Sequence, residues 1–374
     1  MTERKHYLDN IRWITLMVVI VYHVFYLFNS SGVISNLGVN GIKELDCVCI
    51  FTYPWIMCLL FIVSGVAAKY SLSNRNNKEF IKDRTKRLLV PSIIGIFAYG
   101  WITGLITNYY GNIFGESANN IPGVIKYIIL SLVGTGGLWY AQALFIISLL
   151  LVLIKKIDKN KRIDDLFNKI NLPILFLICI LVWGSSYILN MPIITVFRFG
   201  IYTLMVLLGY YVFSNDNIIF KLEKISVPLG IITLIIGIIF TFFMNGSNFG
   251  SDEFLTNPFT NIYLWFVILS AFGLAKKYLN FSNSFTRYMT RNTFSFYVLH
   301  YTVEISIAFI LVEYVRFREF FLNYIFVFVG TAIMLPLLVE VLGKIPVVNT
   351  LILGKKSTKW NNTTGMLKNM YWQT

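Results

Sequence analysis

Apolar residues in this chain come in long blocks, and short polar stretches rich in Lys and Arg separate the blocks. A helical run of about 17–25 mainly apolar residues matches the hydrocarbon thickness of a bilayer. Ten such runs occur, at approximately 11–28, 47–70, 88–109, 135–154, 172–188, 195–213, 227–243, 258–275, 294–312 and 322–342. The pattern predicts an all-α polytopic membrane protein with about ten transmembrane helices. The fifth and sixth runs are the least distinct, because only Leu189 to Ile194 lie between them. A further apolar stretch, 121–133, leads through Gly134-Thr135-Gly136-Gly137 into the fourth run and reads as an interfacial or re-entrant piece.

Composition narrows the class. Of 374 residues 56% are hydrophobic and only 13% charged, with mean hydropathy +0.67, whereas soluble domains carry roughly 25% charged residues. The net charge of +14 would suit a nucleic-acid partner only if it formed a basic face. Instead the Lys and Arg residues cluster between apolar runs. With the N-terminus in the cytoplasm, 25 of them fall on that side and 4 on the other, the bias that sets membrane topology. Cytoplasmic N- and C-termini are therefore expected, in a multi-pass protein of the cell (inner or plasma) membrane whose partner is the lipid bilayer and not nucleic acid. The first run is longer than a secretory signal core and no A-x-A site follows it, so it is expected to be retained. No internal repeat is visible. Residues 1–345 read as one transmembrane domain and 346–374 as a cytoplasmic tail. Cys47, Cys49, Cys58 and Cys179 have no zinc-site spacing, and no metal is expected.

Ionisable groups inside membrane spans are costly, so each is a candidate for chemistry. They are Arg12, His23, Arg198, His300, Glu304 and Glu340. Arg12 and His23 are eleven residues apart, which is three helical turns plus about 20°, so they share a face, roughly 16 Å apart along the axis. Arg12 is expected near the cytoplasmic interface and His23 near mid-membrane, with Asp9 placed to pair with Arg12. Such a pair has a plain structural reading too: an anchoring arginine and a packed histidine. Arg84 and Arg87 precede the third run. They are either topology charge or a phosphate clamp, since guanidinium groups bind phosphate bidentately. Tyr297, His300 and Glu304 share a face, and a carboxylate four residues after a histidine can fix its tautomer. Arg198 and Glu340 lie near the ends of their runs, where interfacial anchoring suffices.

Together these residues resemble the membrane-bound acyltransferase family 3. The carriers are Tyr7-Leu8-Asp9-Asn10-Ile11-Arg12 followed by His23, Phe61-x-x-Ser64-Gly65, Arg84-x-x-Arg87 before Leu88-Leu89-Val90-Pro91, Leu138-Trp139-Tyr140, and Tyr297-x-x-His300. Their order and spacing agree over roughly residues 4–300, and ten spans is that family's architecture. No secreted esterase-like domain is expected, and there is some likeness to glucan-succinylating members. The resemblance implies O-acyl transfer, acetyl or succinyl, from cytoplasmic acyl-CoA to a hydroxyl of an extracytoplasmic or lipid-linked carbohydrate. It implies no permanently bound cofactor, with acyl-CoA as donor substrate. Arg84, Arg87 and Arg12 would dock the phosphates of CoA. His23 would act as general base, typically contributing about 10²–10⁴-fold, or carry a transient acyl group. Ser64 or Tyr140 would supply an oxyanion donor, while Trp139 serves as well in packing. A proton-coupled transporter or flippase of a carbohydrate or lipid-linked precursor is the alternative.

Overall fold

The computed structural model describes residues 4–33, 35–158, 162–191 and 196–355. Its regular structure is helical: α1 (His6–Leu27), α2 (Lys43–Ser73), α3 (Asn77–Gly111), α4 (Gly123–Val133), α5 (Gly136–Ile157), α6 (Arg162–Asn168), α7 (Leu172–Ser185), α8 (Phe199–Tyr211), α9 (Asp216–Lys224), α10 (Ser226–Phe243), α11 (Asp252–Thr256), α12 (Pro258–Tyr278), α13 (Ser284–Val315), α14 (Phe321–Gly343) and α15 (Pro346–Leu351). Eight helices among the described residues (α1, α2, α3, α5, α10, α12, α13 and α14) are long and apolar enough to cross a membrane. The molecule is thus an all-α, multi-pass membrane protein.

Every one of the ten apolar runs is helical, but two fall short of spanning length. Helices α7 and α8 have 14 and 13 residues, about 20 Å of rise each. The chain breaks between them at Leu189, which has φ +54°. The stretch 121–133 forms the 11-residue helix α4, ending at the glycine-rich break.

Burial ranks the spans. In α2, 67% of the most apolar window is covered by other helices, against 28% in α10 and 22% in α14. Helix α2 is central, while α10 and α14 turn most of their surface outward, as lipid-facing helices do. Glycines set the closest approaches. A Cβ at Gly65 would lie 2.2 Å from the Val206 carbonyl oxygen, and one at Gly209 would lie 2.0 Å from that of Ile62, so α2 and α8 meet backbone to backbone. Gly104 and Gly134 press α3 onto the end of α4 in the same way. Small residues at such crossings gain the dispersion contact that drives helix association in lipid.

Helix α3 is irregular. It contains π-helical turns over Thr85–Leu89 and Ile96–Gly100. Pro91 accounts for the first, because it cannot donate to the Arg87 carbonyl four residues back, and the helix widens where that bond is missing. Of the expected tail, only 346–355 is described. It forms α15 and then buries Leu353, whose carbonyl accepts a 3.2 Å hydrogen bond from Ser295 of α13; the remainder lies outside the described residues.

Candidate active site

Helix α1 runs unbroken for 22 residues, so the shared face of Arg12 and His23 is realised. His23 lies four residues before the last residue of α1, about 6 Å from that end and roughly 26 Å from the other. It sits near the end of α1 opposite the N-terminus.

There it meets α13. The rings of His23 and His300 are 5.1 Å apart between centroids, and Tyr301 edges onto His23 at 5.0 Å. His23, His300 and Glu304 each present one nitrogen or carboxylate oxygen within 4.8 Å of the others. His300 and Glu304 are fully buried, while His23 is half-buried. The tautomer of His300 follows from its neighbours. Its Nδ1 is 2.6 Å from the Tyr297 carbonyl, which can only accept, so Nδ1 carries the proton and Nε2 keeps its lone pair. That Nε2, His23 Nδ1 and both Glu304 oxygens are buried without a hydrogen-bond partner. Glu304 therefore does not fix the His300 tautomer, as its spacing suggested; a backbone carbonyl does. Buried polar atoms without partners are uncommon, and four of them at one junction single it out as a candidate site. Two imidazoles and a carboxylate are also a donor set that a divalent metal accepts, a possibility the cysteine spacing did not raise.

At the other end of the track lie the guanidinium groups. Arg12 is about 9 Å from the start of α1. The charges of Arg12 and Arg84 bear on one another and on Tyr140, and that of Arg87 bears on Arg84 as well. Neither Arg12 nor Arg84 forms an ion pair among the described residues, although the charge of Asp83 also reaches Arg84. Arg84 also stacks over Phe80 at 5.0 Å. Arg87 goes elsewhere: its Nε binds Asp83 Oδ1 at 3.1 Å, and Asp83 Oδ2 holds Arg75 at 3.3 Å. Arg87 nonetheless acts electrostatically on Arg84, so the R-x-x-R pair and Arg12 together form one cationic cluster in which Arg87 is the member engaged by Asp83. Asp9 is likewise occupied. It takes two bonds from Arg4, at 2.8 and 3.0 Å, rather than one from Arg12.

Between the two ends stand Ser64, Tyr140 and Trp139. The hydroxyls of Ser64 and Tyr140 are 3.0 Å apart, and Tyr140 donates to the Leu60 carbonyl at 3.2 Å. Tyr140 then accepts from Ser64, so both protons are committed and neither is a ready oxyanion donor in this arrangement. Trp139 packs on Tyr202, with centroids 5.8 Å apart. Tyr297 proves structural: it donates to the Gly137 carbonyl at 2.6 Å and accepts from the Ala141 amide at 3.0 Å, pinning the start of α5.

Sequence reasoning missed Gly137 and Tyr301. A Cβ at Gly137 would lie 3.0 Å from His300 Cε1, and one at Gly136, where φ is +49°, 2.6 Å from Tyr301. The glycine break therefore lets backbone approach the histidine pair; the GTGG run was the available signal. Arg198 is not an interfacial anchor but 4% exposed. Glu340 is exposed and lies beside Tyr288, in keeping with anchoring.

No curated protein and no solved structure matches the chain. Residues 5–339 match the sequence profile of a family described as an acyltransferase domain, and that span contains α1 to α13, the guanidinium groups of the Arg12–Arg84–Arg87 cluster and all three members of the His23–His300–Glu304 cluster. The chain belongs to the acyltransferase 3 family of membrane acyltransferases.

Proposed function

We propose that the protein transfers an acetyl or succinyl group from acyl-CoA to a carbohydrate hydroxyl, with CoA entering from the face that carries the N-terminus and the acceptor from the other. The observation that carries this reading is the division of labour along α1. Arg12, clustered with Arg84 and in no ion pair among the described residues, stands about 9 Å from one end, and an imidazole with an unpartnered nitrogen stands roughly 16 Å further on. CoA has that form: a phosphate-bearing head, then a thin pantetheine arm of comparable length ending in the thioester. The expected topology, with both termini cytoplasmic and the two short helices α7 and α8 completing a set of ten, belongs to the same proposal.

In the reaction, the acceptor oxygen attacks the thioester carbonyl, the new C–O bond forms and the C–S bond breaks. His23 takes the hydroxyl proton and returns it to the departing thiolate. The lone pair on His300 Nε2 is available to accept from the N–H of the His23 imidazolium, and Glu304 is the nearest carboxyl to both. Label carried in the acyl group of acyl-CoA is expected to pass to envelope carbohydrate in inverted vesicles holding the wild type, and not in those holding His23→Ala at equal abundance. Wild-type turnover by His23→Ala overturns the base. Absence of transfer from acetyl-, succinyl- and longer acyl-CoA, with acceptor present, overturns the reaction in favour of transport.

A further inference from the structure

Away from the two histidines, a buried cation has no ion-pair partner among the described residues. Arg198 precedes α8 and is 4% exposed. One Nη donates to the Ser186 carbonyl at 2.8 Å, but Nε has no partner, and Arg198 forms no ion pair among the described residues. Removing a guanidinium from water without pairing it costs several kcal/mol. The group borders a small cavity of about 30 Å³, with Trp139, Thr260 and Asn261 in its wall, enough for about one or two waters or for the head of a carboxylate. Thr260 Oγ1 and Asn261 Oδ1 are buried and unpartnered as well. Thr260 and Asn261 belong to the first turn of the 21-residue α12, whose N-terminal amides add positive potential. Asn261 spends its amide protons on the Leu255 and Asn257 carbonyls, so its oxygen suits a water or hydroxyl beside the anion.

The cavity is next to the chemistry. Trp139 forms part of its wall, and Gly137, two residues earlier in the same turn, abuts His300. Tyr53, also in the wall, stacks on Tyr22 at 5.5 Å, and Tyr22 immediately precedes His23.

We propose that the Arg198 cavity is a carboxylate subsite, which seats a carboxylate carried either by the transferred acyl group or by an acidic sugar of the acceptor, with Arg198 and Thr260 as donors. The identity of its cargo rests on the acyl-transfer reading; the carboxylate site itself does not. The detergent-solubilised full-length protein is titrated with succinate and with glucuronate, following tryptophan emission, with Trp139→Phe to assign the signal. Saturable change with at least one carboxylate is expected, none with succinamide or glucose, and at least tenfold weaker binding in Arg198→Gln and, independently, in Thr260→Val. Absence of saturable binding, or binding undiminished in both variants, overturns the proposal. In vesicles, Arg198→Gln lowers kcat/KM for succinyl-CoA relative to acetyl-CoA if the acyl group brings the carboxylate. If the acceptor brings it, both donors fall together, and reducing the acceptor's carboxyl groups removes the difference between variant and wild type. Carboxylate binding that depends on Arg198, without transfer from any acyl-CoA, upholds the subsite and overturns acyl transfer.

Discussion

Tyr297 spends its hydroxyl on two backbone partners, one on each side of the turn that opens α5. Its value is therefore positional, and its loss should be felt at His300, against which that turn packs. Each such bond contributes roughly 0.5–1.5 kcal/mol. Tyr297→Phe is expected to lower thermal stability by about 1–2 kcal/mol and to reduce kcat while leaving the donor KM within twofold; a change confined to KM would argue against a positioning role. The arginines separate similarly. Arg84→Ala should raise the donor KM tenfold or more, because it removes a member of the cationic cluster that forms no ion pair among the described residues. Arg87→Ala should raise it less than threefold, since Asp83 already engages that group. Equal effects in a donor saturation series would restore the clamp that the R-x-x-R spacing suggested. At this scale the sequence disclosed which residue types matter, through their cost in a membrane, but not their pairings. The pairings of Arg87 with Asp83 and of Arg4 with Asp9 depend on side-chain geometry that no period in the apolar pattern reports.

Among elements, the fit of α2 to α8 is the most exposed to test. The Cβ of an alanine at position 65 would have to move backbone, whereas Gly184 in α7 has nothing within 4 Å of a Cβ. Gly65→Ala is expected to cost about 1–3 kcal/mol by overpacking and to lower the melting temperature in detergent, while Gly184→Ala leaves it unchanged or raises it slightly. Comparable melting curves for the two would remove close backbone contact as the cause. The small residue in Phe61-x-x-Ser64-Gly65 thus has a packing role independent of chemistry. Each of the ten apolar runs coincides with a helix, eight of them of spanning length among the described residues, because continuous hydrophobicity is a strong signal. The runs overstated the other two, because hydropathy measures how apolar a segment is and not where a left-handed residue such as Leu189 cuts it.

For the whole molecule, the two histidines and Glu304 converge from helices almost 300 residues apart in sequence, a convergence that no local motif could announce. Their donor set allows a decision by metal removal: if the cluster works as a base, transfer survives exhaustive dialysis against a strong chelator, and a loss that zinc restores would make the cluster a metal centre instead. Fold class was legible from block hydrophobicity, and the site's inventory from intramembrane charge; the site's shape was not, because it is assembled by close packing between distant helices. One feature then governs the rest of the design. Because α1 has no kink between Arg12 and His23, the span from cationic seat to imidazole is a fixed length, set by residue count alone. The helix is a ruler, and its graduation is angular as well as linear: one inserted residue adds about 1.5 Å but swings His23 through roughly 100°. Such an insertion should silence the protein, whereas four residues, about one turn, should restore the heading while overshooting the reach by about 6 Å. What this chain accepts as a donor is in that sense written in the distance its first helix keeps.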